Sequence, residues 1–427
     1  MFGLNPRAVQ EIDEALAKPD CSVDDLLKCP GVTSQFRNGN PNLVMFLLTE
    51  KNAKRIFEII RTNPNRATQK ALLALFQTSN TSLHRLFADN LIITEYAVNI
   101  LEYPSEHGNF GVGIISRVIS RAFDLWPDDM SEVFRISKTI YKSLISHMDN
   151  VCIFHSVQDM ITDSHKGLWL FMWYCFLALA GENENKYFLT RRAALIQDDV
   201  RVDQKLITPL HRDHIINLLR LFFKLKLASE GEFADNVIRY IVDQKQMSTL
   251  LYSLALSLPP NEIIMKRAVN EIIRSTDFKD PVIEQSLQYI SKAIKMVPSQ
   301  ILIGIVYIII SHNDSSNFTM NALKDLIGIA FQYLEANEKE IFADNLKKII
   351  MFEYNKLNEE DNPIHYAFLI SISYICSENE EKIDEIWQKF ISSVVDPWLN
   401  NNDYDYEFHF DVNNINPSDF VISEYKE

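Results

Sequence analysis

The chain has 427 residues, with 57 acidic and 42 basic side chains and a net charge of −15. Its 11 glycines amount to about 2.6%, where average proteins carry roughly 7%. Rossmann domains, phosphate-loop enzymes and barrels place glycine in phosphate loops and strand–helix turns. The composition excludes these and leaves helices joined by short polar links. The acidic balance argues against broad nucleic-acid binding, which needs clustered Lys and Arg.

Along the chain, Met1 to Arg7 has no basic stretch leading into an apolar one, so no signal peptide is expected. Apolar residues then recur every three or four positions, the helical period. The stripes include Ile56-Phe57-Glu58-Ile59-Ile60, Ile114-Ile115-Ser116-Arg117-Val118-Ile119 and Ile215 to Phe223. Later ones are Ile263 to Val269, Val282 to Leu287 and Ile341 to Leu346. Proline marks helix starts at Asn5-Pro6, Asn63-Pro64, Trp126-Pro127, Thr208-Pro209, Asp280-Pro281 and Asn362-Pro363. Thr94-Glu95 and Ser131-Glu132 read as caps. The apolar runs Gly167–Gly181 and Ile301–Ile310 are shorter than the roughly 18 to 20 residues that cross a bilayer, so buried central helices are expected.

These segments add up to about twenty helices with a loose spacing near 40 residues, while the tetratricopeptide and ankyrin signatures are absent. The expected fold is all-α: an irregular α-solenoid of antiparallel helix pairs, armadillo/HEAT-like, over residues 1–399. An acidic-aromatic tail, 400–427, follows. From Pro397 on, seven acids and one lysine put −6 of the net charge in this end, and acids alternate with aromatics through Tyr404, Tyr406 and Phe408. Such a tail reads either as a docking segment for a partner or as a chain end lying back on its own helices.

No Walker loop, His-Glu-x-x-His, nucleophile elbow or calcium loop occurs. Gly111-Val112-Gly113 begins like a dinucleotide fingerprint, but Ser116 replaces the third glycine, which favours a helix start packed closely on a neighbour. His211-Arg212-Asp213-His214 has the spacing of a metal pair, yet no third ligand is near in sequence, and first-turn polar residues after Thr208-Pro209 explain it. Cys152 and His155 read as a buried cysteine behind a satisfied histidine rather than a nucleophile–base pair. The five cysteines form no Cys-x-x-Cys. No catalytic residue, cofactor or metal is therefore assigned. Arg117, Arg121 and Arg135, with Lys138 and Lys142, form a local positive set. Arg117 and Arg121, four apart, share a helix face. Pairing within the chain, with Asp124 or Asp128, is the simpler reading. Reception of an acidic partner, with Trp126 as anchor, is the functional one.

Residues from about Asp24 to Asp163 resemble the SAPS domain, the helical-repeat region of phosphatase-associated regulatory subunits. The resemblance rests on Asp24-Asp25-Leu26-Leu27 before the helix Asn42 to Leu47, and on Asn109-Phe110 ahead of the Arg117 helix with Pro127-Asp128-Asp129 after it. It continues through the helix end Ile145-Ser146-His147-Met148 and the short helix Val151 to Ile161. Leu210-His211 is similar to a Leu-His-Pro helix start of the same family, with Arg212 in place of the proline. The resemblance implies a non-catalytic scaffold that binds the catalytic subunit of a type-6-like serine/threonine protein phosphatase; the acidic composition suits a cytoplasmic, or also nuclear, protein. Two other readings stand beside it: a transport or trafficking adaptor holding extended peptides, and an all-α enzyme built from His147, His155 and His211.

Overall fold

A computed structural model describes residues 6–89, 91–136, 139–162, 168–181, 202–225, 231–312, 314–357, 363–379, 384–400 and 415–422. Among these residues all regular structure is helical and no strand occurs. The chain divides into two compact units, Met1–Val237 and Ile238–Glu427. The sequence reading of 1–399 as one helical body contains no such division.

Unit 1 opens with α1 (Pro6–Leu16), α2 (Val23–Leu26), α3 (Val32–Arg37), α4 (Pro41–Leu47), α5 (Glu50–Arg61) and α6 (Arg66–Phe76). It continues with α7 (Ser82–Asp89), α8 (Leu91–Glu102), α9 (Pro104–Leu125), α10 (Pro127–Ile136), α11 (Thr139–Ser146) and α12 (Val151–Thr162). The packing has a period of three: α1 meets α4, α2 meets α5, α3 meets α6, α5 meets α8, α6 meets α9, α7 meets α10, α8 meets α11 and α9 meets α12. Several of these helices are a single turn or two, which explains why apolar stripes alone blur them together.

Two local features fit this packing. Gly108 (φ 65°) breaks α9 after its first turn. The buried Gly111 then lets α9 approach the end of α5, since a Cβ there would stand 3.3 Å from the Ile60 carbonyl oxygen. The first glycine of the false dinucleotide fingerprint thus serves a close helix contact. α13 (Leu168–Ala180) is apolar around its whole circumference and is buried from Phe171 to Ala180. It packs on α11 and on α14 (Pro209–Lys224), as a helix without a polar face must.

In unit 2 the period becomes two. α15 (Glu232–Asp243) spans the division; α16 (Thr249–Ala255), α17 (Glu262–Arg274), α18 (Pro281–Lys292), α19 (Ser299–Ile310), α20 (Asn317–Tyr333), α21 (Ala336–Tyr354) and α22 (Pro363–Glu378) follow. Here α16 meets α18, α17 meets α19, α18 meets α20, α19 meets α21 and α20 meets α22. α23 (Glu385–Phe390) runs through a π segment, Ile391–Val395, into α24 (Asp396–Leu399). Tyr252, Tyr289, Phe331 and Trp387 are fully buried in this unit.

Five of the six expected proline starts are first helical residues: Pro6, Pro127, Pro209, Pro281 and Pro363. The sixth differs. Asn63 has φ 50°, and Asn65 caps α6 instead, accepting from the Ala67 and Thr68 amides. Thr94 and Ser131 lie inside α8 and α10 rather than ahead of them: Thr94 is buried and the Ser131 hydroxyl donates to the Pro127 carbonyl at 2.7 Å. A hydroxyl before an acid is too common a pair to mark a helix start unaided.

Candidate functional site

The third helices of successive triplets, α6, α9 and α12, line a groove of about 730 Å³ in unit 1. α9 contributes Arg117, Ser120, Arg121 and Asp124; α12 adds Asp159 and Thr162; Leu73 comes from α6 and Gln77 from its C-cap. Arg117 and Arg121 share one face because they are four residues apart, and both are exposed. Arg121 pairs with Asp124, as the simpler sequence reading expected. Arg117 makes no ion pair among the described residues.

His84 also lines the groove and is 3% exposed. Its ring meets Phe76 edge-on with centroids 5.6 Å apart. Burial, reinforced by the nearby Arg121 charge, lowers its pKa to about 4, so the ring is neutral at pH 7. The groove therefore offers one unpaired guanidinium, one paired guanidinium and a neutral imidazole beside two carboxylates. It can hold a polar or acidic segment, but it has no nucleophile activated by a base.

Trp126 is not part of the groove lining. It is half-buried, and the Arg85 guanidinium lies 5.0 Å from its ring centroid. Arg85 is itself fixed by Asp89 and Asp129, each at 2.7 Å. Arg135 belongs to α10, but its side chain, with Tyr404, Tyr406 and Phe408, lies outside the described residues. The contributions of α6 and α12 to the groove had no sequence signal, because they reach the arginines only through packing between helices distant in sequence.

The histidines weighed as metal ligands or catalytic groups bind backbone and side-chain partners within the fold. His211 Nδ1 closes the first turn of α14 with Thr208, and its Nε2 lies 2.9 Å from the Ser146 carbonyl oxygen, 3.3 Å from Asp149. His214 Nδ1 lies 2.7 Å from the Met148 carbonyl, and its ring stacks on Phe154 at 4.1 Å. His147 Nε2 meets the Glu102 carbonyl at 3.0 Å, and His107 Nδ1 meets that of Arg61 at 3.0 Å. Arg61, Glu102 and Ser146 end α5, α8 and α11, the second helices of three successive triplets. Each of these helices has a terminal carbonyl, orphaned by helix geometry, bound by a histidine from further along the chain.

The Cys152–His155 pair is likewise not a dyad. Cys152 Sγ would stand 3.5 Å from a Cβ on Gly113, and His155 Nδ1 lies 3.3 Å from Gln158 Oε1. No group of three or more metal-ligating side chains forms among the described residues. No helix among them is long and apolar enough to cross a membrane.

A second groove, about 480 Å³, lies between α20 and α22 in unit 2, with Asn317, Asn321 and Lys324 facing Ile364 and Phe368. No protein-family model, curated protein or solved structure matches this chain.

Proposed function

We propose that this chain is a non-catalytic helical-repeat scaffold that binds other proteins: an irregular α-solenoid, armadillo-like in unit 1 and HEAT-like in unit 2. The observation that carries the reading is the groove lined by α6, α9 and α12, in which α9 presents Arg117 and Arg121. Stacked repeats create extended binding surfaces without any need for an active site. The unpaired Arg117 favours an acidic segment as occupant. The recurrence of contacts at a spacing of three helices in unit 1 and of two in unit 2 supports the repeat reading.

The SAPS resemblance makes the catalytic subunit of a type-6-like serine/threonine phosphatase the first partner to test. Affinity purification of the full chain is expected to recover such a subunit, and the double variant Arg117→Glu, Arg121→Glu is expected to lose it. Reproducible partners without any phosphatase catalytic subunit would remove the phosphatase reading. Equal recovery by the double variant would remove the groove as the docking surface.

A further inference from the structure

Residues 415–422 lie against α19, and the fit is specific. Pro417–Phe420 form a single 3₁₀ turn whose first amide, on Ser418, donates to the Asn416 side chain. The Asp419 and Val421 amides bond back to Asn416 and Ser418, so the segment closes its own turn. Val421 is then extended (φ −74°, ψ 128°). In extended backbone successive side chains point to opposite sides. Accordingly Val421 is 66% exposed, while Phe420 is buried and Ile422 half-buried.

The receiving surface is shaped for this pair. The Phe420 ring meets Tyr307 of α19 with centroids 5.4 Å apart. Ile422 occupies the space above Gly304: a Cβ there would overlap it, with Ile422 Cγ1 and Cδ1 at 2.7 and 2.8 Å. α19 is apolar throughout, SQILIGIVYIII, and its remaining sides pack on α17, α20 and α21. Glycine among these aliphatics leaves a notch where every other residue of the helix would fill it.

We propose that this notch is a docking groove for short aromatic-x-aliphatic protein segments, and that residues 415–422 are its resident, exchangeable occupant. The link to the helical body, residues 401–414, carries four acids and no base. Among the described residues Phe420 and Ile422 reach α19 through their side chains and no backbone hydrogen bond joins the plug to the helix, so a partner presenting a turn followed by Phe-x-Ile competes for the same two positions. This proposal concerns unit 2 and stands or falls separately from the groove that carries Arg117.

A fluorescent peptide covering residues 412–427 tests it on the full chain carrying Phe420→Ala and Ile422→Ala, which empties the notch. A short tether supplies an effective concentration in the millimolar range, so cis occupancy requires a free-peptide Kd on the order of 10 to 100 μM. The peptide is expected to bind the double variant saturably in that range and the wild-type chain at least tenfold more weakly. Adding Gly304→Val is expected to abolish binding without changing the far-UV spectrum. A double variant that melts like the wild type yet binds no peptide overturns the proposal, as does a wild-type chain that binds equally well.

Should the double variant unfold, hydrogen exchange on the wild-type chain decides the matter. Excess free peptide is expected to accelerate exchange at residues 418–422 while α19 stays protected. Unchanged exchange at saturating peptide overturns exchangeability.

Discussion

His211 Nε2 lies 2.9 Å from the carbonyl oxygen of Ser146, sixty-five positions earlier, while its Nδ1 holds the Thr208 cap of α14. One imidazole therefore ends α11 and begins α14. His211→Ala removes the reciprocal half of the cap, at about 1 kcal/mol, and leaves a buried carbonyl unbonded, at about 1–3 kcal/mol. Urea unfolding followed by circular dichroism is expected to show a loss of about 2–4 kcal/mol. Because both ring nitrogens are committed, zinc is expected to leave the melting temperature of the wild-type chain unchanged.

His84 makes unit 1 sensitive to acid. Its folded pKa of about 4 lies below the unfolded value near 6.5. Between those values the unfolded chain takes up a proton that the fold excludes. The stability is therefore complete above about pH 6.5 and falls as pH drops toward 4, by up to about 3 kcal/mol. Burial lowers the His147 pKa as well, with the same sign. His84→Gln is expected to flatten the acid limb of a plot of unfolding midpoint against pH. An unaltered limb would show that other groups carry it.

Lys292, at the end of α18, directs its ammonium at the carbonyl oxygens of Ala255 (3.2 Å), the last residue of α16, and of Leu256 (2.6 Å) and Leu258 just beyond it. It is the cationic counterpart of the histidine contacts: a side chain that satisfies the end of a neighbouring helix. A charged hydrogen bond contributes about 1.5–3 kcal/mol. Lys292→Met keeps most of the apolar stem and is expected to destabilise unit 2 by about 2 kcal/mol. Faster hydrogen exchange confined to α16 and α18 would locate the effect.

The Arg85 guanidinium lies over the Trp126 ring, 5.0 Å from its centroid. Arg85→Ala is expected to red-shift the tryptophan emission and to increase quenching by iodide, and the change should vanish in a Trp126→Phe background. Persistence of the shift in that background would assign it to another of the five tryptophans.

Much of the fold was legible because its causes are local. Pro6, Pro127, Pro209, Pro281 and Pro363 each start a helix, since within a helix a missing N–H is harmless only in the first turn. The apolar run of α13 had to be buried, being too short to span a bilayer. The histidines were legible in part: the first-turn reading of His211 agrees with its place in the Thr208 capping box, while its distant partner left no local signal. His211 and His214 have the spacing of a metal pair, and nothing within a few residues shows that their nitrogens are taken by carbonyls from the end of α11. The same holds for the groove: Arg117 and Arg121 share a face by helix geometry alone, whereas Asp159, Gln77 and His84 join them only when α6, α7, α9 and α12 pack together.

Composition and periodicity by themselves determined that this is an all-α chain, where several of its helices begin, and which runs are too apolar to remain exposed. These properties depend on interactions within three or four residues. Tertiary structure alone decided the change of period between the two units and the use of histidines as caps for distant helices. It also decided the fate of the chain end, where Phe420 and Ile422 rest on Tyr307 and Gly304. The physical reason is that side-chain spacing specifies which face of a helix is apolar, while the partner for that face is chosen by packing among helices far apart in the chain.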